Sequence, residues 1–360
     1  AAADPVGIAR FLRGYTELEP GVYALRMLID CVPFLFMAVL AVFLQVIANN
    51  KFIGYLLMIV YIISRIVLGI VDFDDNLYRP FGAPGLPWSD MNGLGHFWIG
   101  WAWFRAYWGA FAVLLFVAAV LFWVRGQRTA WPQRLREAQV RFRGVWPVLT
   151  IVAGIAFVAL AGWIFHNTHR VNEYVADDTD LDRQAEYETR YRQFKDLPQP
   201  KIRAVRADVD LYPEELRVVV RGHYRLQNPH PEPIAELHVA IGDSLVLDRL
   251  EFAPHELVEQ DDVHGYRIYR LAEPLAAGAS MDMDWQISWQ RNGFSNDAGP
   301  TLVVENGTFI NNSLFPSFGY QDGRQIVDRN ERRKRDLGEV PRMASIDDEA
   351  TRANHYLSDD

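Results

Sequence analysis

Four long apolar runs fill most of the first half of this chain, and they constrain its fold more than any other feature. A helix needs about 20 apolar residues to cross the hydrocarbon core of a bilayer, where its backbone groups must be satisfied within the segment. The runs extend from Cys31 to Ala48, from Phe52 to Val71 (interrupted only by Ser64 and Arg65), from Ala106 to Val124 and from Val145 to Phe165. One such run could be a helix buried in a large soluble core. Four in succession predict transmembrane helices. Many of the 11 tryptophans fall near the edges of these runs, where membrane-interface tryptophans sit.

The arginines give the orientation. Between the third and fourth runs lie Arg125, Arg128, Arg134, Arg136, Arg141 and Arg143, against Glu137 alone. Short loops rich in Lys and Arg stay in the cytoplasm. Counting back, the Asn49-Asn50-Lys51 turn is cytoplasmic, and residues 72–105 and everything after His166 are external. The C-terminal half is therefore expected on the far side of the membrane from the cytoplasm.

The external loop ends in Phe97-Trp98-Ile99-Gly100-Trp101-Ala102-Trp103-Phe104, too short to span. It suits an interfacial helix capped by Ser89 or Asp90, or it extends the third run outward. Arg65 lies inside the second run, where a guanidinium costs roughly 2.5–3.5 kcal/mol at mid-bilayer and usually faces a partner or a wet cavity. Asp30 is the nearest partner by antiparallel counting; snorkelling to the outer interface is the equal alternative.

After the fourth run, Tyr187, Tyr191 and Phe194 fall on one face of a helix starting at Asp178 or Thr179 and stopped by Pro198 and Pro200. It reads as an amphipathic spacer whose tyrosines pack. From Ile202 the period changes to two: Leu216, Val218, Val220, Gly222, Tyr224 and Leu226 alternate with polar residues, as do Met281, Met283, Trp285, Ile287 and Trp289. Shorter alternating runs and turns such as Asn228-Pro229-His230-Pro231 complete an antiparallel sandwich or saddle. The fold class expected is an α-helical membrane domain of four transmembrane helices followed by an all-β antiparallel domain. Its divisions are a lead-in (1–30), membrane helices (31–124) with a re-entrant external segment (72–105), an arginine-rich loop (125–144) and a tether helix (145–166). A linker (167–200), the β domain (201–320) and a charged tail (321–360) follow.

A net charge of -9 argues against nucleic acid as a partner. The single cysteine, Cys31, excludes an intrachain disulfide and a cysteine-rich zinc site. His255-Glu256-Leu257-Val258-Glu259 begins like the His-Glu-x-x-His of a zinc peptidase, but the second histidine is missing and the context is a strand. His166 and His169, at the membrane exit, suit structural or interfacial roles. No phosphate-binding Gly-x-x-x-x-Gly-Lys-Ser/Thr loop is present. Asn306-Gly307-Thr308 and Asn311-Asn312-Ser313 match glycosylation sequons.

Asn49-Asn50-Lys51-Phe52-Ile53-Gly54-Tyr55, Ser89 to Phe97, Tyr107-Trp108 and Trp123-Val124-Arg125-Gly126 resemble bacterial ABC transporter permeases fused to a gluzincin-type zinc aminopeptidase. Pro200-Lys201-Ile202 to Asp210-Leu211-Tyr212-Pro213 resembles the first strand of that peptidase's N-terminal β domain. Asn306 to Asn312, Phe315 to Tyr320 and Glu331-Arg332-Arg333-Lys334-Arg335 resemble its end. The resemblance implies that the first three runs are the last helices of a permease domain, with a re-entrant helix pair before the third. It also implies a cytoplasmic ATPase subunit as partner, besides the lipid bilayer, peptides and a second copy of the chain. Zinc is expected in a peptidase domain beyond Asp360, in a longer protein, with no cofactor, metal ligand or catalytic residue on this chain. Glu305, ten residues before Phe315, matches the position that binds a substrate's free amine; an ordinary strand-end acid is the alternative. The different reading is a non-enzymatic membrane anchor presenting a β domain for protein binding. A sensor signalling through the arginine-rich loop is a third, for which no output domain is recognisable.

Overall fold

The computed structural model describes residues 20–71, 73–89, 92–123, 130–242, 244–297, 299, 302–305, 307–308, 310–340 and 347–349. The lead-in over residues 1–19, Asp72, Asp90, Val124, Arg125, Arg128, Asn306 and most of the tail after Val340 lie outside the described residues. The chain divides into a helical unit (1–174 and 293–300) and a β-rich unit (175–292 and 301–360).

Among the described residues of the helical unit, four helices are long and apolar enough to cross a membrane. They are α1 (Pro20–Ala48), α2 (Lys51–Ile70), α3 (Phe97–Phe122) and α5 (Val145–His166), the last continued by a π-helical turn (Asn167–Val171). The short α4 (Trp131–Arg141) precedes α5. Asn50 caps α2, its Oδ1 accepting from the backbone of Phe52 at 2.9 Å and Ile53 at 3.4 Å. α3 is the most buried of the four; it packs on α1 and α5 through Phe104, Tyr107, Trp108, Ala112 and Leu115. Tyr107 stacks on Phe157 of α5 with ring centroids 4.6 Å apart.

Two expectations are corrected here. Phe97–Phe104 is the first part of α3, a 26-residue helix that simply extends the third run outward, rather than a separate interfacial helix. The predicted re-entrant helix pair is absent from the described residues of 73–96, which form turns and extended chain. Prolines 80, 84 and 87 and glycines 82, 85, 93 and 95 explain why: the first remove helical donors, the second favour turns.

The arginine-rich loop is folded rather than merely charged. Arg134 of α4 is buried and donates to the carbonyls of Val46 (2.5 Å), Ile47 (3.2 Å) and Phe122 (3.0 Å). Arg141 donates to Leu121 O (3.0 Å) and Trp123 O (2.6 Å). The last carbonyls of a helix have no intrahelical partner and carry its partial negative charge, so cations suit that end. Two arginines thereby close the ends of α1 and α3 together.

The β-rich unit holds two four-stranded antiparallel sheets, in the orders β1-β2-β7-β4 and β10-β3-β6-β5. The first contains β1 (Lys201–Tyr212), β2 (Arg217–Gln227), β4 (Val246–Glu251) and β7 (Ser280–Gln290). The second contains β3 (Ile234–Ala240), β5 (His255–Asp261), β6 (Tyr266–Leu275) and β10 (Ser317–Phe318). The strands β8 (Val303–Val304) and β9 (Gly307–Thr308) form a hairpin. The fold class is therefore helical, then all-β antiparallel. Val218, Val220, Tyr224 and Leu226 of β2 and Met283, Trp285, Ile287 and Trp289 of β7 meet Leu237, Val239 and Tyr269 of the other sheet in one core. Gly222 lies opposite Trp285, and a Cβ there would come within 2.0 Å of the indole. The glycine in the alternating run is the space that the tryptophan fills.

Helix α6 (Asp177–Tyr191) begins with Asp177, Asp178 and Asp180 in its first turn, where carboxylates complement the helix dipole. Its tyrosines pack as expected: Tyr187 and Tyr191 are buried with Ala240, Tyr266 and Ile268 against the second sheet. The segment read as a spacer thus belongs to the β-rich unit. So does the start of the charged tail. In α7 (Arg329–Lys334), Arg332 makes a bidentate pair with Glu188 of α6 at 2.7 and 2.6 Å, both side chains buried.

Candidate functional site

In the helical unit the loop between α2 and α3 is held by side chains donating to its backbone carbonyls. Arg26 of α1 donates to Leu86 O at 2.6 Å. Arg65 of α2 donates to Pro80 O at 3.0 Å, which also accepts from Tyr61 at 3.3 Å. Arg105 of α3 donates to Phe81 O at 2.9 Å, and Trp108 Nε1 to Asn76 O at 3.1 Å. Phe81 has φ 62°, a left-handed conformation that a bulky residue rarely adopts, and the turn closes with Gly82 N on Arg79 O at 2.8 Å. Its ring is buried against Trp108, with centroids 5.7 Å apart. The ring in its pocket and the guanidinium on its carbonyl together hold the strained turn.

The other end of this loop holds two acids. Asp75 is buried and accepts from Leu77 N at 2.8 Å; its Oδ2 lies 3.2 Å from His169 Nε2. Burial raises the Asp75 carboxyl above the usual carboxylate range, partly offset by the Leu77 amide and by His169. Asp74 accepts a short hydrogen bond from Tyr174. Asn296, in the 293–300 segment of the same unit, accepts 2.9 Å bonds from the backbone N and Nδ2 of Asn76, and Phe294 packs on Phe104.

The structure does not bring the predicted pair together. Asp30 accepts from Arg26, one turn earlier on α1, at 3.2 Å, while Arg65 uses the Pro80 carbonyl. The helical i,i+4 neighbour reaches Asp30 first, and the loop offers Arg65 an acceptor of its own. Sequence reasoning missed Arg26, Arg105 and Phe81. The available signal was that an arginine sits at the loop-side end of each of three successive helices.

In the β-rich unit Glu305 is exposed in the turn between β8 and β9. His255 and Glu256 lie on β5, and His255 stacks on Phe252 at 3.9 Å. Among the described residues no three His, Cys, Asp or Glu side chains cluster as metal ligands. Asp261 accepts from Tyr191 at 2.7 Å, His264 Nδ1 at 2.8 Å and Arg190 at 3.1 Å. Burial alone would raise its pKa, but the bonds from Tyr191 and His264 win and hold it at about 2. This carboxylate is fully engaged, as a fastening of α6 to the sheet. An open groove of about 600 Å³ on the first sheet carries Arg206, Arg221, His223 and Arg249 with Asp208 and Asp284. His223 Nδ1 lies 2.9 Å from Asp284. These groups offer hydrogen bonds and mixed charge.

Neither the protein-family models nor the curated proteins give a match to this chain.

Proposed function

We propose that this chain is the membrane segment of an ABC-type permease carrying an external aminopeptidase-like β domain, coupling transport with peptide binding or trimming. The observation that supports it best is the succession of four membrane-length helices and a two-sheet antiparallel unit, matching the layout that the sequence resemblance implies. The arginine-rich end of the helical unit, closed by Arg134 and Arg141, is the cytoplasmic end by the positive-inside rule. The loop gathered by Arg26, Arg65 and Arg105 is then external, and the β-rich unit periplasmic, in a bacterial inner membrane. ATP hydrolysis belongs to a separate cytoplasmic subunit. Zinc belongs to a peptidase domain outside this chain, where it would activate water for attack on the first peptide bond. Glu305, exposed in its hairpin turn, is the residue of this chain assigned to the substrate's amine.

The test is to purify the native gene product from membranes, assay release of N-terminal residues from peptides with and without a zinc chelator, and identify co-purifying subunits. Chelator-sensitive release together with an ATPase subunit is expected. A product with neither overturns the proposal. The groove with Arg206, Arg221 and Arg249 then favours the second reading, a membrane-anchored β domain that binds a protein through a mixed-charge surface.

A further inference from the structure

Arg65 and Arg105 come from neighbouring positions at the loop-side ends of α2 and α3, and their guanidiniums bind the carbonyls of two successive residues, Pro80 and Phe81. They are therefore side by side, and close enough to repel. Neither has a carboxylate partner among the described residues. Each guanidinium carries five N–H donors in a planar fork, so the one carbonyl bond that each makes leaves most of that capacity open. Arg105 Nε is buried without any hydrogen-bond partner. Both residues are half-buried rather than enclosed.

The surroundings fix the depth. Arg65 lies five residues before the end of α2, roughly 7 Å along the helix axis. Arg105 stands over Trp101, 5.4 Å from the ring centroid, within the tryptophan-rich first turns of α3. Tryptophans collect at the headgroup level of a bilayer, and two positive charges at that level need an anion. Paired guanidiniums match the oxygens of phosphate better than any other common anion there.

We propose that Arg65 and Arg105 form a binding site for a phosphate group, with the phosphate of a phospholipid headgroup or a free phosphate ion as its source. The bound phosphate completes the neutralisation that the two carbonyls begin, and so secures the strained Phe81 turn.

Native mass spectrometry of the full chain in detergent tests this, by titration with phosphatidylglycerol, with diacylglycerol of the same acyl chains, and with inorganic phosphate. Wild type should hold one phosphatidylglycerol at concentrations where diacylglycerol does not bind. Arg65→Gln with Arg105→Gln should weaken that binding by about tenfold or more, since each charged hydrogen bond contributes about that much. Arg65→Lys with Arg105→Lys should fall between. Binding of phosphatidylglycerol that inorganic phosphate does not displace identifies the lipid as the source. Saturable binding of inorganic phosphate, lost in the glutamine variant, identifies the free ion. Equal binding of phosphatidylglycerol and diacylglycerol by wild type, with no inorganic phosphate bound, overturns the site. So does a folded glutamine variant that binds as wild type does. Should that variant not fold, the wild-type comparison decides alone.

Discussion

The two units satisfy their buried arginines differently. In the β-rich unit the buried arginine meets a carboxylate: Arg332 grips Glu188 through two short bonds, and Arg335 reaches Asp182 at 2.7 Å and Glu331 at 2.6 Å. In the helical unit the buried Arg134 meets backbone carbonyls at helix ends, as Arg65 and Arg105 do on the loop, while Arg141 adds Glu137, and Arg26 adds Asp30, to their carbonyl partners. A carboxylate partner in an apolar medium adds a second ion to desolvate. The carbonyls of a helix end or a turn are already there, lack partners, and carry partial negative charge. The surroundings of an arginine, rather than the residue itself, decide whether an acid joins backbone carbonyls as its partner.

That contrast can be broken most forcefully at Glu188. Glu188→Leu leaves Arg332 buried and unpaired, and should cost about 3–5 kcal/mol of stability in the β-rich unit. Urea unfolding with hydrogen exchange read on residues 329–334 measures it. Adding Arg332→Met should recover most of the loss, and failure to recover would mean that the pair does more than neutralise itself.

In the helical unit, Arg134→Met should cost less, about 2 kcal/mol, because it strands carbonyls rather than a charge. Thermal unfolding in detergent would show it. Arg136→Met, at an exposed position of the same helix, should stay within about 0.5 kcal/mol of wild type. Equal effects at the two positions would erase the distinction between a capping arginine and a merely basic one.

Acid should loosen α6 within the β-rich unit. Asp261 is held at about 2, below its unstrained value of 3.8, so its contribution is complete above about pH 4. As pH falls from 4 towards 2 the carboxylate protonates and α6 loosens from the sheet. Near-ultraviolet circular dichroism of the tyrosine cluster should follow that window in wild type and lose the transition in Asp261→Asn. The smallest effect is expected at Asn50→Ala, about 1 kcal/mol, through loss of the α2 cap. Hydrogen exchange at Phe52 and Ile53 would detect it.

What the sequence revealed followed regular periods. The alternations at Leu216–Leu226 and Met281–Trp289 marked β2 and β7, and the apolar runs marked α1, α2, α3 and α5. The tyrosine spacing in α6 announced a packed face, though not that the face lies on β6. What could not be read depended on partners distant in sequence. Glu188 and Arg332 are 144 residues apart, so the charged stretch looked like a loose tail. Arg65 inside an apolar run suggests either a counter-charge such as Asp30 or snorkelling to the interface. A carbonyl acceptor leaves no trace in the sequence, which is why the loop held by Arg26, Arg65 and Arg105 became visible only in three dimensions.

The proposed function requires that four helices cross the membrane, so that α4 and the β-rich unit are reached from opposite sides of it. Single-cysteine labelling tests it directly. In a Cys31→Ser background, Arg136→Cys and Asp282→Cys, both at exposed positions, are treated with a membrane-impermeant maleimide in intact cells and after permeabilisation. Asp282→Cys should be labelled in intact cells, and Arg136→Cys only once the membrane is opened. Labelling of both positions from the same side would contradict this topology.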